Sequence, residues 1–468
     1  MTCCERRLHL GLTESVCPVC FATIPAERCA EGDTVYLKKT CPEHGATSTP
    51  VWRGLKSYLR WGEAPRTFSR PPVCATEVKR GCPHDCGLCP DHRQQSCCVL
   101  LEVTSRCDLA CPVCYASASR QGADASMSEI GGWLDTLAEA GGRVHIQLSG
   151  GEPTVRDDLP EIVALIRSRG FEFVQLNTNG VRIAREPAYL AALAKAGLDC
   201  VFLQFDGVSD DVYQRLRGSK LMRLKTLAIR NCGETGIGVV LTPTLVPGVN
   251  VTQIGAIADF AIQEMPAVRA VHFQPVSYFG RCLTPPDDAS RITLPEVMDA
   301  LIAHSRGTIS LGDFHPGSAE NPFCSFSGRF TIDETGSLHA AAEEPRSCCG
   351  VPAQKERVAC CGGTQPSLDV ARARRYVAGQ WTRPDRGGGE AAGLDAFDTF
   401  LAGRTRDLGL SGMAFQDAWT LDLDRLRQCH IHIVAPDRRV IPFCAYNLTS
   451  CDGRALYRLQ AATPGKQK

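Results

Sequence analysis

The sequence predicts an α/β protein, a series of parallel βα units set between a small metal-organised N-terminal unit and a cysteine-containing C-terminal extension. Strand-like and helix-like segments alternate from Val99 to about Ser310, as parallel strands joined by crossover helices do. Two knuckle-like pairs, Cys17-Pro-Val-Cys20 and Cys41-Pro-Glu-His44, open the chain with the spacing of a zinc ribbon or rubredoxin-like site. Beyond Ser310 the alternation stops, and hairpin signals and further cysteines replace it.

Composition narrows the function. With 44% hydrophobic and 22% charged residues, the chain has the makeup of a folded globular protein. Lys plus Arg equals Asp plus Glu at 51 each, so no net field draws it to nucleic acid or an anionic membrane. Met1 to Val16 is polar and lacks the apolar core of a signal peptide. The 26 cysteines therefore read as reduced, metal-bound thiols in the cytoplasm rather than as a secreted disulfide framework. The longest uncharged stretch, Gly236 to Ala258, is broken by Pro243, Pro247 and Gly248 and is not a transmembrane segment.

Residues 1–62 form the first unit. Thr34 to Lys38 reads as a short strand between the knuckles, and a segment this small needs a tetrahedral metal, zinc or iron, for much of its stability. Cys17, Cys20 and Cys41 are three ligands; His44 and Cys29 both qualify as the fourth. Trp52, Arg53, Lys56, Tyr58, Arg60 and Trp61 could stack on single-stranded nucleic acid, or form a packed helix with solvated charges. A Pro-rich connector leads to residues 73–98, where Cys82, Cys86 and Cys89 stand in a C-x3-C-x2-C pattern without a preceding strand. They read as ligands of an auxiliary cluster whose fourth ligand is Cys74, Cys97, Cys98 or a C-terminal cysteine.

Residues 99–310 carry the core. Strands are expected at Val99–Val103, Val144–Leu148, Phe173–Leu176, Val201–Phe205, Gly238–Leu245 and Ala270–Phe273. Helices are expected at Leu159–Arg169, Pro187–Ala196, Leu224–Glu234, Ile254–Glu264 and Pro295–Ser305, and one more follows the capping box Ser126-Met-Ser-Glu129. Cys107, Cys111 and Cys114 repeat the C-x3-C-x2-C spacing, here after a strand and before an aromatic residue, Tyr115. Three thiolates can hold three irons of a [4Fe-4S] cluster and leave the fourth open to a small molecule. Gly150-Gly151-Glu152-Pro153 closes the next strand, and polar residues, including Asn179, Asp206, His272 and Gln274, gather at later strand ends, where such barrels place their chemistry.

In residues 311–468, Cys324 precedes an expected hairpin over Arg329–Ile332 and Glu334–Gly336. The doubled cysteines Cys348-Cys349 and Cys360-Cys361 follow, as a further metal site or a flexible loop, and Gly387–Gly389 breaks the chain. A second hairpin, His430–Val434 turning at Pro436–Arg438, returns Cys429 and Cys444 to one end of the sheet, where they complete an auxiliary cluster.

The cysteine triplet with its aromatic residue and the Gly-Gly-Glu-Pro segment resemble the radical S-adenosylmethionine (SAM) superfamily. The Cys-Pro-Glu-His-Gly and Gly-Cys-Pro-His-Asp-Cys-Gly-Leu-Cys-Pro runs, with the closing segment from Met413 to Asn447, resemble its tetraether lipid synthase and dihydropterin methylase (class D) group. That resemblance implies a partial (β/α)6 radical SAM barrel, a SAM-binding [4Fe-4S] cluster on Cys107, Cys111 and Cys114, and one or two auxiliary [4Fe-4S] clusters. It implies that Tyr115, Gly150, Gly151, Glu152, Asn179, Asp206 and Gln274 face SAM, and that the segment through Ile254 and Gly255 packs near its adenine. It further implies reductive cleavage of SAM to a 5′-deoxyadenosyl radical, an electron donor such as ferredoxin or flavodoxin, and C-methylation, alkylation or C–C coupling on a lipid or pterin-like substrate. A peptide-modifying radical SAM maturase and a non-catalytic iron-sulfur electron carrier are the alternative readings.

Overall fold

Two β-sheets organise the chain in the computed structural model, which describes residues 7–64, 68–140, 142, 144–281, 285–317, 319–341, 374, 377–382 and 406–458. Cys348, Cys349, Cys360, Cys361 and the Gly387–Gly389 break lie outside the described residues.

The first sheet is an antiparallel meander of β1 (Leu8–Val16), β2 (Thr23–Glu31), β3 (Thr34–Cys41) and β4 (Gly45–Arg53). Both metal knuckles sit at its turns, Cys17 and Cys20 after β1 and Cys41 and His44 between β3 and β4. The sheet docks on the C-terminal extension through an ion pair and a hydrogen bond: Arg28 Nε lies 2.8 Å from Asp422 Oδ2, and buried Lys39 Nζ donates to Ala418 O at 2.7 Å. The aromatic and basic stripe is a packed helix. In α1 (Leu55–Gly62), Tyr58 and Trp61 are buried, and the Tyr58 ring stacks on Phe323 with centroids 4.3 Å apart.

The second sheet contains the barrel. Six parallel strands lie side by side in chain order: β5 (Cys98–Thr104), β6 (His145–Gly150), β7 (Val174–Thr178), β8 (Cys200–Gln204), β9 (Gly238–Thr242) and β11 (Val268–Pro275), with the two-residue β10 (Thr244–Leu245) paired to β11. All six expected strands form. Residues such as Leu101, Leu148, Leu176, Leu203 and Leu241 pack outward into one core with the helices, and their neighbours Leu100, Gln147, Gln175 and Phe202 face an internal cavity. Both faces are thus covered, as a parallel sheet requires.

The outer helices include α2 (Met127–Glu139), α3 (Leu159–Ser168), α4 (Val181–Arg185), α5 (Pro187–Ala196), α6 (Asp210–Arg217), α7 (Met222–Glu234), α8 (Ile254–Gln263) and α9 (Leu294–His304). The Ser126/Glu129 capping box closes as expected, with each side chain bonded to the other residue's backbone N–H. Helices α4 and α6 were not expected. Both are short, and the second, Asp-Asp-Val-Tyr-Gln-Arg-Leu-Arg, is half charged and has only Val212, Tyr213 and Leu216 to mark its buried apolar face.

The C-terminal extension continues the same sheet at both edges. β14 (Asp407–Met413) runs parallel to β11, and the hairpin of β12 (Ser325–Ile332) and β13 (Leu338–Ala340) pairs antiparallel beyond it. At the opposite edge β15 (Ile431–Val434) lies parallel to β5, with β16 (Val440–Pro442) antiparallel outside it. Two short helices, α10 (Leu423–Leu426) and α11 (Phe443–Tyr446), complete the described extension.

Candidate active site

After β5 the chain makes a long loop before α2. The loop is pinned at its base, where Ser105 N–H donates to Ala123 O at 2.8 Å and Cys107 N–H to Ser119 O at 2.9 Å. Arg281 clamps it further along. Its backbone exchanges hydrogen bonds with Cys114, at 3.2 and 3.0 Å, and its guanidinium Nε donates to Cys111 O at 3.0 Å. Cys107, Cys111 and Cys114 stand on this loop, and all three line a cavity of about 740 Å³ that runs into the barrel.

The Gly-Gly-Glu segment holds the loop from the β6 side. Gly151 N–H donates to Thr104 O and Glu152 N–H to Arg106 O, both at 2.8 Å. A Cβ on Gly150, whose φ is +120°, would stand 2.1 Å from Thr104 O, and one on Gly151 would stand 2.1 Å from Arg106 O. Backbone packs on backbone here, and glycine alone permits the approach. Glu152, 2% exposed, ties two strand ends together. Its Oε1 accepts from the Thr154 N–H at 3.1 Å and from the Thr154 and Thr178 hydroxyls at 2.6 Å each, and its Oε2 accepts from the Asn179 N–H at 2.6 Å. Burial pushes its carboxyl above the ordinary range while these donors pull it back. Asn179 Nδ2 then donates to Asp108 Oδ1 at 2.7 Å, beside Cys107, and the Tyr115 hydroxyl bonds Ser149 Oγ at 2.8 Å.

Of the expected SAM-facing residues, Tyr115, Gly150, Gly151, Glu152, Asn179 and Gln274 line the cavity with the three cysteines. Asp206 is placed differently. It is fully buried behind the wall, and Arg217 binds both its carboxylate oxygens at 2.7 Å. Arg217 is the residue of this pair that lines the cavity. It stands beside Cys111, where burial raises the thiol pKa and the guanidinium opposes the rise. Ile254 and Gly255 do not line the cavity; Ile254 is core, and Gly255 packs on the His304 imidazole of α9. No motif marked Arg217 or Arg281, since each acts on a partner distant in sequence.

Three thiols from one loop, open on one side to a large cavity, fit a cluster held by three protein ligands. Burial pushes the Cys107 thiol up to about 12, so binding iron there displaces a tightly held proton. In the N-terminal sheet, ligand atoms of Cys17, Cys20, Cys41 and His44 all lie within 4.8 Å of one another, a donor set fit for one tetrahedral ion. His44 is thus brought to this site, whereas Cys29 is buried within β2 outside the group.

Two further cysteine nests form. Cys82, Cys86 and Cys89 line a small cavity with Arg427, and the Ala75 N–H bond to Leu88 O, at 3.3 Å, runs the chain after Cys74 alongside them. Cys429 and Cys444 are brought together, and Cys324 joins them. Burial raises the Cys429 and Cys444 thiols; Cys444 and Cys324 add to the rise at Cys429, and Cys324 adds to that at Cys444. Arg425 donates to Cys324 Sγ at 3.5 Å, and the Gln416 N–H to Cys444 Sγ at 3.2 Å. Cys98 belongs to neither nest and lines the large cavity instead.

Residues 101–261 match the model of the Radical SAM superfamily, and residues 9–53 match the HMPTM N-terminal zinc ribbon domain. The 7,8-dihydro-6-hydroxymethylpterin dimethyltransferase of Methanocaldococcus jannaschii is 34% identical over 485 residues, with 93% of each chain covered. The chain belongs to the radical SAM superfamily. It is similar, over a shorter span, to the Fe-coproporphyrin III synthase of Methanosarcina barkeri, at 37% identity over 39% of this chain and 45% of that one. The crystal structure of Streptococcus suis SuiB bound to S-adenosylmethionine gives a TM-score of 0.35 at 15% identity, covering 45% of this chain and 47% of that one. As a radical SAM enzyme the protein uses a [4Fe-4S] cluster and SAM, and its N-terminal zinc ribbon is a metal-binding unit. Among the described residues no helix is long and apolar enough to cross a membrane.

Proposed function

We propose that this radical SAM enzyme methylates carbon on a pterin-like heterocycle, with a folate-type one-carbon donor supplying the added carbon. The observation that supports the reading is the cavity itself, in which the cysteine loop and the amides of Gln147, Gln175, Asn177, Gln204 and Gln274 share one lining. Similarity to the M. jannaschii pterin dimethyltransferase over 93% of both chains supports it.

In this reading Cys107, Cys111 and Cys114 hold the SAM-binding cluster. Gly150, Gly151, Asn179, Gln274 and Arg217 form the wall beside SAM, and Glu152 and Asp206 position that wall. When bound, the cluster and SAM would supply, on receipt of one electron from an external donor, a 5′-deoxyadenosyl radical able to take hydrogen from carbon. The chain's own task is to hold the reacting carbon close to that radical and to keep water and stray hydrogen donors out. The clamp by Arg281 and the Glu152 bracket serve the first need, and the depth of the barrel cavity serves the second.

The four segments then divide the work: 1–62 as a zinc-bound staple, 73–98 and the Cys324, Cys429 and Cys444 nest of 311–468 as auxiliary cluster ligands, and 99–310 as the SAM barrel. The Cys3His donor set favours zinc over iron in the ribbon. Auxiliary clusters would pass electrons between substrate and an external donor such as ferredoxin or flavodoxin, in the cytoplasm, where thiols stay reduced.

The test is isotopic. With the reconstituted enzyme, SAM, a reductant and a folate-type one-carbon donor, a deuterated pterin should transfer deuterium into 5′-deoxyadenosine or gain methyl groups detectable by mass. Deuterium transfer from an alkyl lipid, with the pterin returned unchanged, would refute the reading.

A further inference from the structure

The barrel strands send alternate residues inward and thereby divide the cavity into depths. By register Gln204 and Thr242 form one level toward the cysteine end, Asn177 and Phe202 form the next, and Gln147 and Gln175 form the level nearest the strand starts. We propose that this inner compartment reads the substrate's flat heterocycle, with the side-chain amides of Gln147 and Gln175 as the specificity-determining groups; the inference rests on the pterin reading above.

Gln175 is 2% exposed, and its Oε1 is buried with no hydrogen-bond partner. Its Nε2 reaches only the Cys98 thiol, at 3.9 Å, and that thiol points on to Gln147 Oε1 at 3.7 Å. Gln147 and Gln175 are register partners on adjacent parallel strands, so their amides stand about 4.8 Å apart at the backbone, comparable with the hydrogen-bonding edge of one six-membered ring. A buried amide oxygen left unpaired is costly, and an alkyl chain offers it nothing. A ring edge carrying N–H donors does.

The compartment also has a floor. A helical turn at residues 377–381 closes the inner end of the barrel, with Trp381 edge-on to Phe202 at a centroid distance of 4.8 Å and 67°. Glycines let it in, since a Cβ on Gly238 would meet Trp381 O at 2.2 Å and one on Gly409 would meet Gln380 Nε2 at 2.2 Å. That Gln380 Nε2 is a second buried group without a partner, a donor in the lining of the same cavity as the Gln175 acceptor. The cavity lining thus offers one free acceptor, one free donor and two aromatic walls. These suit a ring carrying adjacent N–H and C=O groups and are wasted on a hydrocarbon tail. The ring seats inward, and its substituent points back toward the cysteine loop.

The experiment measures binding to the anaerobically reconstituted full-length enzyme by calorimetry and by quenching of tryptophan fluorescence. The probes are 7,8-dihydro-6-hydroxymethylpterin, a long-chain alkyl glycerol ether, and SAM. Wild type should bind the pterin and not the ether. Gln175→Leu should weaken pterin binding about tenfold, with SAM affinity and iron content unchanged, and Gln175→Asn should recover part of the loss. If Gln175→Leu does not fold, Gln147→Leu carries the same expectation. Equal pterin affinity in wild type and both leucine variants would overturn the inference and leave the pterin reading standing. Wild type that binds the ether and not the pterin would overturn both.

Discussion

The backbone N–H of Glu152 donates to the carbonyl oxygen of Arg106 at 2.8 Å, so the Gly-Gly-Glu segment and the cysteine loop are two halves of one backbone clasp. A methyl group at Gly151 would sit 2.1 Å from that same carbonyl. Gly151→Ala should therefore displace the loop that carries Cys107 without unfolding the barrel. Iron content and 5′-deoxyadenosine yield should fall tenfold or more while far-ultraviolet circular dichroism is kept. An alanine variant with wild-type yield would show that the clasp does not set the loop.

Asp206 and Arg217 form a buried bidentate pair. Breaking one side leaves an uncompensated charge, a loss of about 3–5 kcal/mol. Asp206→Asn alone should lower the unfolding midpoint sharply, and the double change Asp206→Leu with Arg217→Met should restore most of it. Arg217 also stands beside Cys111, so the double variant should fold yet show a more negative SAM-cluster reduction potential. An unchanged potential would remove Arg217 from the site.

His145 and His272 line the cavity, and burial lowers each imidazole to about 4. Both are neutral in the folded protein at pH 7 and take up protons more readily when unfolded. Their depressed values contribute stability that is present above about pH 6.5 and lost as the pH falls toward 4. Urea midpoints should drop between pH 7 and pH 5, and His272→Asn should flatten that dependence by about 1 kcal/mol. A variant with the same pH slope as wild type would mean that His272 is solvated.

Most of the barrel was legible because its strands alternate with capped amphipathic helices. The six strands and helices such as Pro187–Ala196 fall where periodicity placed them. Helices α4 and α6, five and eight residues long, are too short for periodicity to stand out in the sequence. The cysteine loop and Gly-Gly-Glu segment were legible because both are local in sequence. Arg217, Arg281 and Cys324 were not, since each acquires meaning only from partners on another element: Arg217 from Cys111, Arg281 from Cys114, and Cys324 from Cys429 and Cys444. Asp206 shows the converse, a motif residue at a strand end whose carboxylate is spent on holding Arg217.

The N-terminal ribbon makes a separate prediction. Its four ligands lie within 4.8 Å of one another, and the sheet they fold docks on Asp422 through Arg28. Cys41→Ser should remove about one zinc per chain, read by elemental analysis, with the iron count unchanged. Because so small a unit depends on its metal, the segment around residues 414–427 should become protease-sensitive. Loss of iron together with zinc would contradict a purely structural ribbon.

The central claim is that Cys107, Cys111 and Cys114 hold the cluster that cleaves SAM. It is tested most directly by anaerobic reconstitution with iron, sulfide, SAM and dithionite, followed by chromatography of the nucleoside products. Wild type should release 5′-deoxyadenosine, and the variant with all three cysteines changed to alanine should release none while retaining its zinc. Release of S-adenosylhomocysteine alone by wild type, or 5′-deoxyadenosine from the triple variant, would contradict the account.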